Sequence, residues 1–145
     1  MDYTMELICS ARGIAKKYKQ MLVEIADECS LSAAELSVLL FLENECKDTA
    51  REIAEARHMS KASVSKAVDS LYQKEYISGK ADPADRRIVH LSIEKKADEV
   101  LCVACQRQNE LLDCIFQSIS QEEMEILGQI AQKINRNLCS KGRIS

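Results

Sequence analysis

Residues that interrupt helices are scarce in this chain of 145 residues, which contains one proline and four glycines. Because proline and glycine are the strongest breakers of regular structure, their scarcity predicts long helices. Apolar residues make up 46% of the chain and charged residues 30%, a composition typical of a globular domain. The length favours one domain of ordinary size, with enough apolar residues to form a core without disulfides.

Apolar residues recur at steps of three and four along most of the chain, which is the spacing of amphipathic helices. This spacing predicts a first helix from about Tyr3 to Glu28. Ser60 predicts the start of a fourth helix. Capping boxes predict the starts of the second, third and last helices at Ser32 with Glu35, Thr49 with Glu52, and Ser120 with Glu123. The predicted inner face of the fourth helix is Val64, Ala67, Val68 and Leu71.

The period changes after Tyr76, where two short segments rich in β-branched residues occur at residues 77–80 and 88–93. In the second segment, Val89, Leu91 and Ile93 alternate with polar residues, which predicts a strand with one buried face. The turn Asp82-Pro83-Ala84-Asp85 separates the segments and predicts a β-hairpin with a charged tip. Helical spacing resumes from about residue 94 to 118, so the predicted order is four helices, a hairpin and two helices.

The predicted outer helices are too long for the small core that the other elements can form. Helices two to four and the hairpin make a unit of roughly 60 residues, whereas two of the outer helices reach ~25 residues, or about 37 Å. Their apolar stripes need another surface, most commonly the same helices of a second copy. We therefore expect a homodimer, with residues 1–30 and 95–145 as a helical dimerisation region and residues 31–94 as a separate lobe.

Charge is distributed unevenly along the chain. The formal net charge is −3, yet the segment from Arg57 to His90 carries seven basic and four acidic residues. A basic segment inside an acidic chain favours a selective contact with a polyanion over strong non-specific binding to DNA, which argues against a sequence-indifferent architectural protein.

The third and fourth predicted helices form a helix-turn-helix whose second helix exposes small residues, hydroxyls and lysines. Small side chains let a helix approach DNA closely, serines bond bases or phosphates, and lysines neutralise phosphates. The amino terminus of this helix also offers free amides to a phosphate. An arginine on the hairpin tip is suited to an adjacent minor groove. The predicted DNA-contacting residues are Ser60, Lys61, Ala62, Ser63, Ser65 and Lys66 on the helix, with Lys80, Arg86 and Arg87 on the hairpin.

Three stretches of the chain resemble the MarR family of bacterial winged-helix regulators. They read LSAAELSVLLFL from Leu31, TAREIAEARHMSKASVSKAVDSLYQKEYI from Thr49, and GKADPADRRIVHLSI from Gly79. The resemblance implies a mainly α fold with a small β-hairpin wing, in which a winged helix-turn-helix lobe joins a helical dimerisation domain. Within it, Lys61 to Lys66 match recognition-helix positions, Arg87 matches the wing arginine that enters the minor groove, and Asp85 matches the acid that braces it.

The resemblance also implies a function. Members of the family act in the cytoplasm as homodimers that bind pseudo-palindromic operators, usually as repressors. They are often relieved by small aromatic or phenolic effectors bound between the dimerisation helices and the winged-helix lobe. Neither a cofactor nor a membrane is implied. The operator and the effector are not specified by the sequence.

Seven cysteines are scattered along the chain, and with no export signal they predict reduced thiols in a cytosol. Cys102 and Cys105 form a lone CxxC on a predicted helix, too few ligands for structural zinc, and we expect them to be moderately buried. Cys9 is the first candidate for thiol tuning of DNA binding, although it does not match the reactive position of the peroxide-sensing branch. The two histidines, His58 and His90, do not match the clusters of the zinc-sensing branch.

Other functions fit the sequence less well. No phosphate-binding glycine loop, HExxH or dinucleotide motif occurs, so we do not expect an enzyme. A winged-helix module for protein contacts would more often expose apolar anchors on its second helix. A thiol-redox-sensing regulator of the same fold remains a further alternative.

Overall fold

The structure, a computed structural model, describes residues 2–140. Its helices are α1 Tyr3–Glu28, α2 Ala33–Asn44, α3 Ala50–Ala56, α4 Lys61–Gln73, α5 Asp98–Ile115 and α6 Gln121–Ser140. Strands β1 Ile77–Ala81 and β2 Val89–Ile93 pair antiparallel, with Ile77 opposite Ile93 and Ala81 opposite Val89. This order confirms the predicted mainly α fold with one hairpin. The ends of the predicted dimerisation region, residue 1 and residues 141–145, lie outside the described residues.

The core surrounds α2, which is apolar on several sides. Phe41 is the largest fully buried side chain, and the guanidinium of Arg57 lies 5.8 Å from the centre of its ring. The predicted inner face of α4 is buried as expected, and so is Ile53 of α3. The carboxyl-terminal half of α1 and the first turns of α5 add to the core through Met21, Ile25, Ala26, Val100 and Ala104.

Two of the three predicted capping boxes form completely. At the start of α3, Thr49 and Glu52 bond each other's backbone amides reciprocally, and Ser120 and Glu123 do the same before α6. Ser32 accepts a bond from the amide of Glu35 at 3.1 Å, so it caps α2. The predicted box at Ser32 is nevertheless wrong in its second half, because tertiary partners take the Glu35 carboxylate.

The Glu35 carboxylate instead joins α2 to α4. It accepts bonds from the Ser70 hydroxyl at 3.1 Å and from the Lys74 ammonium at 2.7 Å. Glu35 is the one charged residue found buried in the described part of the chain. A buried carboxylate needs such partners because its desolvation is costly. Lys74 also reaches the backbone oxygen of Ser30 at 3.3 Å.

Replacing Lys74 by methionine should lower the free energy of unfolding by about 1–2 kcal/mol, because the buried Glu35 carboxylate keeps only one of its two partners. The loss is smaller than for a fully buried pair, since the Lys74 side chain is 38% exposed. Urea denaturation measures this difference. Lys66→Met, on the exposed side of the same helix, is the matched control and should change stability by less than about 0.5 kcal/mol. Equal effects of the two substitutions would show that the Glu35 pair contributes nothing.

The burial of β2 and the bounds of α5 differ from the sequence prediction. Val89 is 39% exposed rather than buried, because it lies at the tip end of the hairpin, where the core no longer reaches. Of the three alternating residues only Leu91 is fully buried. The helix predicted from 94 to 118 is shorter. It begins as a 3₁₀ turn at Lys95–Ala97 and ends before Ser118, whose φ of 66° is left-handed.

Contacts divide the chain into two units, Met1–Leu111 and Leu112–Ser145. In the first unit, the amino-terminal half of α1 exposes large apolar side chains, including Leu7, Ile8 and Ile14. In the second unit, α6 has no buried residue. Its exposed stripe, named the α6 stripe here, consists of Leu127, Ile130, Ile134 and Leu138. Within residues 2–140, no helix combines the length and apolar composition needed to cross a bilayer.

Candidate nucleic-acid interface

Helix α4 presents the polar surface that the sequence predicts. Val64, Ala67, Val68 and Leu71 pack inward, which turns the intervening positions outward. The exposed residues include the predicted contacts Lys61, Ala62, Ser63, Ser65 and Lys66, together with Asp69. This face has no large apolar side chain, so it offers hydrogen-bonding groups and positive charge at a short distance from the helix backbone.

The amino terminus of α4 is fixed by Ser60. Its hydroxyl oxygen accepts a bond from the amide of Ser63 at 3.1 Å, and the two hydroxyls lie 2.8 Å apart. Ser60 therefore acts as the N-cap, which orients the first turn of the helix. His58 lies just before it with a left-handed φ of 52°, and its side chain is exposed.

The hairpin of β1 and β2 is called the wing from here on. Two carboxylates build the turn at its tip. One oxygen of Asp82 accepts bonds from the amides of Ala84 at 2.8 Å and Asp85 at 3.1 Å. One oxygen of Asp85 in turn accepts bonds from the amide of Arg87 at 3.1 Å and from its Nε at 3.2 Å. The Arg87 side chain is 92% exposed, so Asp85 directs the guanidinium without burying it.

A groove of about 820 Å³ lies between α3, α4 and the wing. Ser65 of α4 and Arg87 of the wing both line it, so the fold brings together two of the predicted contact residues. Lys80 lies on β1 opposite His90, and Arg86 is exposed near the tip. Tyr72 packs against Gly79, where any Cβ would collide with the Tyr72 hydroxyl, and this contact sets the wing close to α4.

His90 joins the wing to the loop between α2 and α3. Its Nδ1 lies 2.7 Å from a carboxylate oxygen of Asp48, and its Nε2 lies 2.8 Å from a carboxylate oxygen of Asp82. The hydrogen bonds to Asp82 and then to Asp48 raise the pKa of His90 from 6.5 to about 8. The same contact with His90, with the two amide bonds, lowers the pKa of Asp82.

Sequence reasoning missed the role of Asp48 and His90. The alternation along β2 places His90 on the polar face, but no local pattern indicates that residue 48 lies beside residue 90. Asp82 is recognisable from the sequence as a turn residue, yet not as a partner of His90.

The two cysteines of the CxxC are more exposed than expected. Cys102 and Cys105, predicted to be moderately buried, are both exposed, because the inward positions of α5 are taken by Val100 and Ala104. Cys9 is exposed on α1, and its proposed redox role stays a prediction. Cys29 is half-buried, and burial raises the pKa of its thiol.

A wing beside a helix-turn-helix defines a winged helix-turn-helix protein. Residues 30–88 match the model of the MarR family, and the resemblance to this family is confirmed. It is a family of transcriptional regulators, not of enzymes. The chain is similar to the uncharacterized HTH-type transcriptional regulator YsmB of Bacillus subtilis, with 21% identity over 97% of each chain.

Solved structures share the fold. A MarR family transcriptional regulator from Silicibacter pomeroyi superposes with a TM-score of 0.75 at 18% identity, over 93% of this chain and 88% of that one. BpsR of Bordetella bronchiseptica, a protein whose DNA binding is regulated by 6-hydroxynicotinic acid, superposes with a TM-score of 0.65 at 16% identity, over 92% and 99% of the two chains.

Proposed function

We propose that the protein is a sequence-specific DNA-binding regulator that acts in the cytoplasm as a repressor and binds a pseudo-palindromic operator as a homodimer. Residues 31–94 form the DNA-binding lobe, and residues 1–30 and 95–145 form the dimerisation region. The observation that carries this proposal is the exposed guanidinium of Arg87 on the same groove as Ser65, one residue of the polar face of α4.

The chemistry of this surface suits a duplex. Helix α4 exposes small and hydroxyl side chains between Lys61 and Lys66, which fits insertion into a major groove. The wing carries a guanidinium held by Asp85, which fits the narrow and electronegative minor groove beside it. A module for protein contacts would need apolar anchors here, and the exposed face of α4 has none that is large.

The exposed apolar stripes support the homodimer. Soluble monomers rarely leave long apolar helix faces uncovered, and a second copy of the same helices is the commonest cover. Two-fold symmetry would then place two recognition helices on half-sites about 34–36 Å apart.

An effector fits the same arrangement. A small aromatic or phenolic compound bound between the dimerisation helices and the lobe would release DNA by changing the spacing of the two α4 helices. Coupling of ~1–3 kcal/mol would change the affinity by about 5- to 150-fold. The similarity to BpsR supports a ligand of this class.

Selection from a random-sequence duplex pool, at two salt concentrations, tests the proposal. We expect enrichment of an inverted repeat whose half-site centres lie about one helical turn apart. Enrichment should disappear at the higher salt more readily in the Arg87→Ala protein than in the wild type. Absence of any enriched sequence at either salt would contradict DNA recognition and favour a protein-interaction module.

A further inference from the structure

We propose that His90 is a positioning residue for the wing. By bridging Asp48 and Asp82, His90 holds the wing and its Arg87 against the helix-turn-helix. Because this bridge needs a protonated imidazole, the affinity for DNA falls as the pH rises. The proposal rests on the DNA-binding function given above. It concerns the three side chains Asp48, His90 and Asp82, which are called the wing clamp below.

The wing clamp is one part of a continuous chain of hydrogen bonds. From His90, the chain runs through Asp82 to the amides of Ala84 and Asp85, and through Asp85 to the Arg87 guanidinium. Each link is 3.2 Å or shorter.

At its other end, the chain is fixed to the helix-turn-helix. The backbone oxygen of Asp48 accepts a bond from the amide of Leu91 at 2.8 Å. The amide of Asp48 donates to Glu52, the residue that completes the capping box of α3. A movement at residue 48 or residue 90 is therefore transmitted to the residue that we propose to enter the minor groove.

The geometry requires a protonated imidazole. A neutral imidazole has one N–H and one lone pair, so it donates to only one carboxylate and repels the other. Both ring nitrogens of His90 lie within 2.8 Å of carboxylate oxygens, and only the imidazolium donates to both. Loss of its proton breaks one of the two bonds and leaves two carboxylates facing an uncharged ring.

Charged groups of neighbouring elements act on this equilibrium. Lys80 lies directly opposite His90 in the hairpin register, and its charge opposes that of the imidazolium. Asp48 and Asp82 are in direct contact and outweigh it. The charged residues that line the groove together with His90 and Asp82 are Arg51, Glu52 and Glu55 of α3, Asp69 of α4, and Arg87 of the wing.

The direction of the pH dependence follows from the raised pKa of His90. The ordinary histidine pKa is 6.5, and in the folded protein that of His90 is about 8. The stabilising effect of the clamp is therefore complete below pH 6.5 and is lost as the pH rises through 8. Because DNA is a polyanion, the same protonated state also favours binding, so bound DNA should raise the pKa of His90 further.

Proton NMR of the 145-residue chain tests the clamp without DNA. The chain contains two histidines, so two Hε1 ring resonances are expected, and His58→Gln assigns them. His90 should titrate with a midpoint near 8, and Asp48→Asn should lower that midpoint. A wild-type midpoint at or below 6.5, the ordinary value, would overturn the proposal.

Operator affinity measured from pH 6.5 to pH 9 tests the coupling. We expect the wild type to lose about three- to tenfold over this range, as for one weakened hydrogen bond. His90→Gln, which does not titrate, should bind with the reduced affinity already at pH 7 and show a flatter profile. Its far-UV circular dichroism should match that of the wild type. If the substitution unfolds the protein, the titration midpoint of His90 in the wild type is measured with and without operator instead. The operator should raise this midpoint, and an unchanged midpoint would overturn the coupling.

The outcomes separate the two proposals. Wild-type and His90→Gln proteins that bind the operator with the same pH profile would overturn the wing clamp and leave the proposed function standing. A folded wild-type protein that binds no duplex at any pH would overturn the proposed function and, with it, the regulatory role of His90.

Discussion

The Arg87→Ala protein is expected to bind its operator more than tenfold more weakly than the wild type, with an unchanged melting temperature. The Arg87 side chain is 92% exposed, and its ion pair with Asp85 at 3.2 Å is of the surface kind that contributes at most about 1 kcal/mol to stability. Loss of this ion pair should therefore leave the free energy of unfolding nearly unchanged. An arginine that contacts a base edge, by contrast, contributes on the order of 1–3 kcal/mol to binding, and the negative potential of a narrow minor groove attracts its guanidinium.

Arg12→Ala is the matched control for this substitution. It removes the same charge from an exposed position on α1, far along the sequence from the wing. We expect its operator affinity to stay within about twofold of the wild type at moderate salt, because α1 is not part of the surface proposed to contact DNA and salt weakens the interactions of exposed charges. Fluorescence anisotropy with a labelled operator measures both variants, and thermal melts check their folding. Equal affinities for Arg87→Ala and the wild type would refute the role of the wing.

The second large effect is expected from charges placed on the α6 stripe. The double substitution Ile130→Glu and Ile134→Glu should convert the proposed homodimer into a monomer and weaken operator binding by at least 100-fold. Ile130 and Ile134 are 45% and 37% exposed in the single chain, although both are large and apolar. A monomer contacts one half-site only. Loss of the second, linked half-site lowers the apparent affinity by about 10²- to 10⁴-fold.

The size of the expected loss in dimer affinity follows from the two-fold symmetry of the proposed interface. Burying one isoleucine contributes about 1.5–3 kcal/mol, and a two-fold interface contains each residue twice. Because Ile130 and Ile134 are only 45% and 37% exposed in the single chain, the four lost contacts amount to roughly 2.5–5 kcal/mol. The desolvation of four introduced carboxylates adds to this loss, so the total exceeds the ~2.7 kcal/mol that a 100-fold change in dimer affinity requires. Light scattering at micromolar concentration should give twice 16.3 kDa for the wild type and 16.3 kDa for the variant.

Gln129→Glu is the control for the stripe, because it adds one negative charge on the opposite side of α6. At 100° per residue, position 129 lies about 160° from position 127 and away from the stripe. It should remain dimeric and bind DNA. A wild-type protein that is monomeric at micromolar concentration would contradict the homodimer, and a dimeric double variant would show that the α6 stripe is not its interface.

Local patterns of the sequence predict much of the fold. The capping residues Ser32, Thr49 and Ser60 lie where helices α2, α3 and α4 begin, and the apolar spacing of α4 identifies its buried side. The Asp82–Asp85 turn is also local, because each carboxylate bonds amides two or three residues ahead. Hydrogen bonds over two to four residues depend mainly on the neighbouring sequence, and for this reason most of them are predictable.

Other features depend on residues far apart in the chain. The position of Glu35 predicts a complete capping box, but the fold brings Ser70 and Lys74, 35 and 39 positions away, within bonding distance of its carboxylate. The exposure of Cys102 and Cys105 depends on which side of α5 meets the core.

The sequence by itself determined where the helices begin, which side of α4 is polar, and that Asp85 and Arg87 share a turn, because these depend on contacts within a few residues. Only the tertiary structure decided that His90 lies between Asp48 and Asp82, 42 and 8 positions away. Strand pairing and the packing of the α2–α3 loop against β2 create that site. A buried or bridging polar group takes the partner that packing brings closest, and packing is a property of the whole chain.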